Sequence, residues 1–284
     1  MMQLDALRIA YKLSENEINT LQARIIKKYT RNKTPVEPPT AVIIGGQPGS
    51  GKSELIIQAL NLFRNNAVVC NADDYRDFHP KADEIKREHE KYYPEITVAY
   101  SQPWNNGLRD HCEKNRFNYI LETTFSSGER MNDTIRQIKA KGYHVVIMVL
   151  AVPAALSVLG THIRFEDMKR IEGFGRLVER RVHHEKYLAI PGTIETVARA
   201  KLYDSFHIYG RQTLQRKSAP TSGISLIEIN PQDAVQIYLN ERDKKWTPAV
   251  ASYFNSACLN VVEMMVKRGA TTKELKVFLE GLVF

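Results

Sequence analysis

The chain has 284 residues, of which 43% are apolar, and a formal net charge of +8. This length allows one large domain or two small ones with a well-buried core. No stretch approaches the roughly 20 apolar residues needed to cross a bilayer. The N-terminal segment also carries acids where a signal peptide would be apolar. We therefore expect a globular, cytoplasmic protein with no membrane partner.

The positive charge is compatible either with a nucleic-acid surface or with sites for anionic small molecules. Basic residues are spread along the chain, and acids are interleaved with them in 84–91 and 178–186. Such interleaving is more typical of solvated helix faces than of nucleic-acid recognition. The cysteines, Cys70, Cys112 and Cys258, form no CxxC pair, so neither a disulfide framework nor a zinc site is predicted.

The first predicted element in chain order is a helix that begins near Ser14. Ser14 and Glu17 have the spacing of a capping box, in which each side chain binds the other's backbone N–H. After this capping box, the apolar residues of the helix fall on one face, namely Ile18, Leu21, Ile25 and Ile26. Residues 30–40 contain three prolines and are predicted to be a connector.

Six short apolar runs in the middle of the chain are predicted to be β-strands. They are apolar throughout rather than alternating, which is typical of strands covered by helices on both faces. The runs are 41–45, 67–71, 118–122, 144–150, 206–210 and 225–229. Ser126 and Glu129 have capping-box spacing, and Gly142 stops the same predicted helix. This alternation of strands and helices predicts an α/β fold with a largely parallel sheet.

The C-terminal part is predicted to be helical. Asn230 and Pro231 suit a helix cap and first residue, and Thr271 with Glu274 suits the start of a final helix. Between them an apolar stripe ends at Gly269; it consists of Val250, Phe254, Ala257, Val261 and Met265.

A glycine-rich loop carries the clearest functional signal. Residues 46–53 read GQPGSGKS, which fits G-x-x-x-x-G-K-[ST], and they lie between a predicted strand and a predicted helix. Such a loop turns backbone N–H groups toward an anion, and the helix N-terminus adds positive potential. Lys52 would reach the β- and γ-phosphates, and Ser53 would coordinate Mg²⁺. The predicted ATP-binding residues are Gly46, Gln47, Pro48, Gly49, Ser50, Gly51, Lys52, Ser53 and Glu54.

The chain lacks the NKxD motif with which GTPases read guanine, so ATP is the predicted nucleotide. With the loop in place, we predict a P-loop NTPase-type kinase fold that forms a single domain over 1–284. Its parts are N-terminal helices and a linker (1–37), an α/β core (38–230) and a C-terminal helical extension (231–284).

Acidic residues follow the second and third predicted strands. Because the carboxyl ends of parallel strands face one crevice, Asp73 or Asp74 could point at the γ-phosphate and accept the proton of an attacking hydroxyl. Either residue could instead cap the next helix, and spacing alone does not choose between them. Glu122 ends the third strand, with a solvated strand end as the alternative.

A basic segment, 159–186, lies between the fourth and fifth predicted strands. In small-molecule kinases, arginines on a lid at this place close over the transferring phosphoryl group. A solvated basic helix is the alternative. His183 and His184 are adjacent and so point in different directions on a helix, and we assign them no role.

Taken together, these segments resemble the zeta toxin family, the bacterial toxin kinases that phosphorylate UDP-N-acetylglucosamine. The similarity extends from about residue 35 to about residue 215. The segments that carry it are PPTAVIIGGQPGSGKS (38–53), NADDYRDFHP (71–80), ILETT (120–124), LAVPAALSVLGTHIRFEDM (150–168) and FHIYGR (206–211).

The resemblance implies roles that spacing leaves open. It places Asp73 at the position of the general base, where it also contacts the substrate. It implies that Arg76, Glu122 and Thr124 contact the sugar nucleotide. Asn71 stands where the family often has aspartate, and Thr123 and Ser126 replace the family's usual glycine and basic residue.

The catalytic set implied by the resemblance includes two arginines beside Lys52 and Asp73. Arg164 matches a phosphate-stabilising arginine. Arg176 is the best match for the second, and Arg180 and Arg181 are possible substitutes.

The implied activity is transfer of the ATP γ-phosphate, with Mg²⁺, to the 3′-hydroxyl of UDP-N-acetylglucosamine or a related UDP-amino sugar, which would block peptidoglycan synthesis. The implied partner is a small helical, epsilon-like antitoxin covering the ATP site. Two alternatives stay open: a P-loop kinase of an antibiotic, nucleoside or polynucleotide end, and an ATP-dependent nucleic-acid-binding module.

Overall fold

A six-stranded sheet forms the centre of the computed structural model, which describes residues 2–216 and 219–282. Of residues 2, 213–216 and 219–222 only the backbone is described. The strand order is β2-β3-β1-β4-β5-β6. The strands are β1 (Thr40–Gly45), β2 (Val68–Cys70), β3 (Tyr119–Thr123), β4 (His144–Ala151), β5 (Ser205–Arg216) and β6 (Ala219–Ile229). All six predicted strands are confirmed.

Strands β1 to β5 are parallel, and β6 pairs antiparallel with β5. The largely parallel sheet is therefore confirmed. β5 and β6 are longer than predicted, because their ladder continues to the pair Arg216 and Ala219. The sequence beyond Gly210 turns polar, RQTLQR, so the apolar pattern stops while the backbone pairing goes on.

Helices cover both faces of the sheet, which explains why the strands are apolar throughout. Ile43 of β1 packs in the larger core with α2, α5, α6, α8 and α9, whereas its neighbours Val42 and Ile44 pack against α3. The helices are α1 (Met2–Ala10), α2 (Glu15–Thr30), α3 (Lys52–Leu62), α4 (Ala82–His89), α5 (Tyr93–Lys114), α6 (Gly128–Ala140), α7 (Ala154–Glu172), α8 (Arg180–Ala200), α9 (Ala234–Arg242), α10 (Pro248–Lys267) and α11 (Thr272–Gly281).

Most of the predicted helix boundaries are confirmed. The capping boxes at Ser14 and Thr271 are both formed. Gly142 has a positive φ of 76° just after α6, which suits a glycine that ends a helix.

Two predicted helix starts are wrong. The hydroxyl of Ser126 lies 3.0 Å from that of Thr124, so it is engaged away from α6, and Ser127 takes the cap position without a side-chain bond. Asn230 ends the sheet instead of capping a helix, because its side-chain oxygen accepts from the Phe206 N–H at 2.7 Å. Asp233 caps α9 in its place.

The C-terminal helices pack against α7. Apolar residues of α7, α10 and α11 share one cluster, and the buried Glu166 of α7 receives two hydrogen bonds, of 2.6 and 2.9 Å, from Arg268. Among the described residues, α10 is the one helix long and apolar enough to cross a membrane by length and composition. Because core helices of water-soluble proteins pass the same test, this is weak evidence for a span.

All three cysteines are free, as predicted. The division of the chain into a core with terminal extensions stays a prediction.

Candidate active site

The glycine-rich loop packs directly against α7. Gly49 and Gly51 have positive φ angles of 72° and 98°, which glycine adopts without strain. A Cβ on Gly49 would lie 1.9 Å from the carbonyl oxygen of Ser157, and one on Gly160 would lie 2.2 Å from the carbonyl oxygen of Gly49. The two glycines therefore allow backbone-to-backbone contact, which fixes the loop relative to α7.

This contact predicts an unequal response to alanine at two glycines. Gly173 has a similar φ of 70° but nothing within 4 Å of its would-be Cβ. We expect Gly173→Ala to lower the free energy of unfolding by about 1–2 kcal/mol through backbone strain alone. Gly49→Ala should cost about 1–3 kcal/mol more, because the new methyl group collides with α7. Urea unfolding of both variants measures the difference, and equal losses would contradict the contact.

Gln47 anchors the loop from beneath. Its Nε2 donates to the Val152 carbonyl at 2.9 Å and to Ser157 Oγ at 3.1 Å. Ser157 Oγ lies 2.8 Å from Nε2 of the buried His183, and burial lowers the pKa of His183 to about 4. Sequence analysis gave His183 no role, and no motif pointed to its contact with Ser157. A neutral imidazole therefore supports the loop.

Lys52 connects the loop to β3. Its Nζ donates to the carbonyls of Gly46 at 3.0 Å and Gln47 at 3.3 Å, and it lies 3.5 Å from Oε1 of Glu122. Burial lowers the pKa of Lys52, and the Glu122 carboxylate opposes that shift. Lys52, which the sequence assigned to the ATP phosphates, and Glu122, which the resemblance assigned to the sugar nucleotide, are therefore neighbours.

Asp73 stands in a short 3₁₀ helix, Ala72–Phe78, that follows β2. Its carboxylate accepts from Arg76 Nε at 2.9 Å, from Arg176 Nη1 at 3.1 Å, and from Arg176 Nη2. Burial raises the pKa of Asp73, but the two arginines outweigh burial and hold that pKa well below its usual range. Asp73 is therefore ionised at neutral pH.

The neighbouring Asp74 has a different environment. It accepts one hydrogen bond, from Asn71 Nδ2 at 3.1 Å. Partial burial, together with the charges of Glu122 and Asp73, raises the pKa of Asp74 to about 6. The two adjacent carboxyls are therefore distinguishable by titration.

The predicted arginines separate into two groups. Arg164, on α7, lines the cavity above the loop and makes no ion pair with any residue in 2–216 or 219–282. Arg176, between α7 and α8, reaches Asp73. Arg180 instead donates to the Glu280 carbonyl at 3.3 Å, and neither it nor Arg181 lines the described cavities at the loop. This geometry favours Arg176 as the second arginine.

Three of the four predicted substrate residues, Asp73, Glu122 and Thr124, border a neighbouring cavity. Glu122 and Thr124 line a volume of about 1080 Å³ together with Asp73 and Arg176. Arg76 Nη1 donates to the Pro94 carbonyl at 2.6 Å and to Thr97 Oγ1 at 3.0 Å, and both acceptors lie on α5. These bonds hold Arg76 in place where it donates to Asp73.

A cavity of about 630 Å³ lies over the loop and suits a nucleotide. Gly49, Gly51, Lys52, Ser53 and Glu54 form its floor. Within the described ranges, no group of three or more His, Cys, Asp or Glu side chains could hold a metal ion. The Ser53 hydroxyl at this floor fits Mg²⁺, which takes few protein ligands and relies on phosphates and waters.

Arg211 is a site residue that the sequence analysis missed. Its Nη1 donates to Glu54 at 2.6 Å, and its Nη2 lies 2.5 Å from the place of a Cβ on Gly51. The available signal was its position directly after the fifth predicted strand, at the same crevice as the loop.

Comparison with known proteins identifies the family of this chain. The zeta toxin family model matches residues 22–243, more than half of the chain. The chain belongs to the zeta toxin family. The resemblance drawn from the loop and the acidic and arginine segments is thereby confirmed, and membership in the zeta toxin family implies a kinase-type toxin.

Toxin zeta of Enterococcus hirae is 27% identical over 236 residues, which cover 83% of this chain and 80% of the relative. Toxin PezT of Streptococcus pneumoniae is 28% identical over 172 residues, or 61% of this chain and 68% of the relative. A solved structure from the pneumococcal PezAT toxin–antitoxin system has a TM-score of 0.77 and 21% identity, covering 89% of this chain and 98% of that one. The predicted zeta toxin fold is confirmed.

Proposed function

We propose that the protein transfers the γ-phosphate of ATP, with Mg²⁺, to the 3′-hydroxyl of UDP-N-acetylglucosamine or a related UDP-amino sugar. The observation that carries the kinase chemistry is the meeting of Lys52 with Glu122 and of Asp73 with Arg176 around one crevice. The choice of a UDP-amino sugar rests on the family's segments.

In this mechanism the loop and Lys52 hold the triphosphate, and Arg164 and Arg176 face the moving phosphoryl group. Asp73 takes the proton of the sugar hydroxyl as its oxygen bonds to the γ-phosphorus, while the bond to the bridging oxygen breaks and ADP leaves. Mg²⁺, held by Ser53, would neutralise phosphate charge.

Arg176 must exchange partners for this reaction. In the structure it neutralises Asp73, and a phosphate in the cavity offers it a competing charge-assisted pair. Moving Arg176 onto phosphate would free the carboxylate to accept the proton. This exchange explains how Asp73 can act as the base although it is paired with Arg176 before substrate binds.

The biological consequence follows from the acceptor. The first committed step of peptidoglycan synthesis attaches an enolpyruvyl group at the same 3′-hydroxyl, so a phosphate there blocks it. Such an enzyme endangers its own host, and we therefore propose a small helical antitoxin that covers the ATP site. The pneumococcal relative belongs to a toxin–antitoxin system, and the charge of +8 suits an acidic partner.

The test is phosphoryl transfer from γ-labelled ATP with Mg²⁺ to a panel of UDP-sugars, free sugars, nucleosides and short oligonucleotides. Label on a UDP-amino sugar supports the proposal. Label on another acceptor alone would retain a kinase and discard this substrate. No transfer, together with steeply salt-dependent DNA or RNA binding, would favour a nucleic-acid-binding module.

A further inference from the structure

The strand order places different strands on the two sides of the phosphate loop. The loop follows β1, with β3 and β2 on one side and β4 and β5 on the other. Asp73 and Glu122 follow or end β2 and β3, so the reacting end of the nucleotide lies on that side. A nucleotide whose γ-phosphate faces Asp73 and whose other phosphates occupy the loop must extend toward β4 and β5. Its base must be bound there.

A second cavity, of about 270 Å³, lies at that place. Its walls come from the end of β4 and the start of α7, from β5, and from the segment between α9 and α10. Leu156, Arg211 and Val250 line both this cavity and the one over the loop, so the two adjoin. A largely apolar pocket next to a phosphate site is the kind of place in which a flat ring binds.

We propose that this cavity binds the base of the donor nucleotide and that Trp246 forms its aromatic wall. Trp246 is partly buried, and its ring packs against Phe254 of α10 with ring centroids 4.9 Å apart. Aromatic side chains bind nucleobases through their π faces. Trp246 lies beyond residues 22–243, which the family model matches, so the C-terminal extension contributes to the donor site.

Two polar groups define the edges of this base site. The Arg211 guanidinium lies over Gly51 and bonds Glu54, at the junction of the two cavities, where it can contact the phosphate nearest the ribose. Glu241 lines the far wall and is paired with Lys244 at 2.6 Å. Its carboxylate is a hydrogen-bond acceptor, which suits the exocyclic amino group of adenine.

The test compares ATP with inorganic tripolyphosphate, which can fill the loop but has no base. The chain has two tryptophans, and Trp104 is fully buried in the core. We expect ATP to change the tryptophan fluorescence and tripolyphosphate to leave it unchanged. The ATP signal should disappear in Trp246→Phe and persist in Trp104→Phe. A signal that persists in Trp246→Phe would overturn the proposal.

Affinities give a second readout that does not depend on fluorescence. By calorimetry, Trp246→Ala should weaken ATP binding by about ten-fold and leave tripolyphosphate binding unchanged. The base site would be refuted if the native protein bound both ligands equally, if the variant weakened both equally, or if its ATP affinity stayed native. The proposal rests on the proposed function only in taking ATP as donor. Because binding is measured without an acceptor, failure of the kinase proposal would show separately, as absent transfer.

Discussion

Asp73→Asn is expected to lower phosphoryl transfer by roughly 10²- to 10⁴-fold while ATP still binds. The amide keeps the size of the side chain and can still accept a hydrogen bond from Arg76 or Arg176, but it cannot take a proton. Single-turnover transfer and ATP calorimetry measure the two effects. A variant with native turnover would remove Asp73 from the role of base.

Asp74→Asn is the matched control, because it changes the adjacent carboxyl and should retain most of the activity. The pH dependence separates the two residues further. A base must be ionised, and the pKa of Asp73 lies well below its usual range whereas the pKa of Asp74 is about 6. If Asp73 is the base, it stays ionised from pH 7 to pH 5, and kcat/KM should not fall over that range because of its protonation. A fall of about ten-fold from pH 7 to pH 5 that Asp74→Asn abolishes would identify Asp74 instead.

Arg164→Ala is expected to have a still larger effect, a loss of about 10³- to 10⁵-fold in kcat with the fold retained. In the described residues Arg164 has no ion pair to lose, so its removal should change the free energy of unfolding little. Its charge would instead be missing where the phosphoryl group moves between the loop and Asp73. Steady-state kinetics and thermal unfolding check both parts.

The control for this prediction is Arg170→Ala on the same helix. Arg170 is exposed and pairs with Asp167 at 2.9 Å, so its removal should cost little activity. Equal losses in the two variants would mean that both act through α7 as a whole. A loss below ten-fold in Arg164→Ala would exclude direct stabilisation of the phosphoryl group.

The sheet was predictable because its strands are covered on both faces and therefore read as unbroken apolar runs. The loop was predictable because its glycines and Lys52 have the fixed spacing of a phosphate-binding motif. The starts of α6 and α9 were mispredicted because Ser126 and Asn230 use their side chains elsewhere. A local capping pattern does not record such competing partners.

Contacts between distant segments account for what the sequence did not reveal. Arg211 and Glu54 are 157 positions apart, and no spacing rule relates them. The pairing of Asp73 with Arg176 likewise depends on how the segment after α7 folds back onto the short helix after β2. The residue types at the site were therefore recognisable, while their partners required the fold.

The ion pair between Glu166 and Arg268 has a consequence for synthesis of the chain. Glu166 is buried two residues after Arg164, and its partner is made about a hundred residues later. A buried carboxylate without its partner is strongly unfavourable, so α7 is not firmly seated while Arg268 is still untranslated. A growing chain therefore contains its phosphate loop well before α7, the helix that carries Arg164, is held in place.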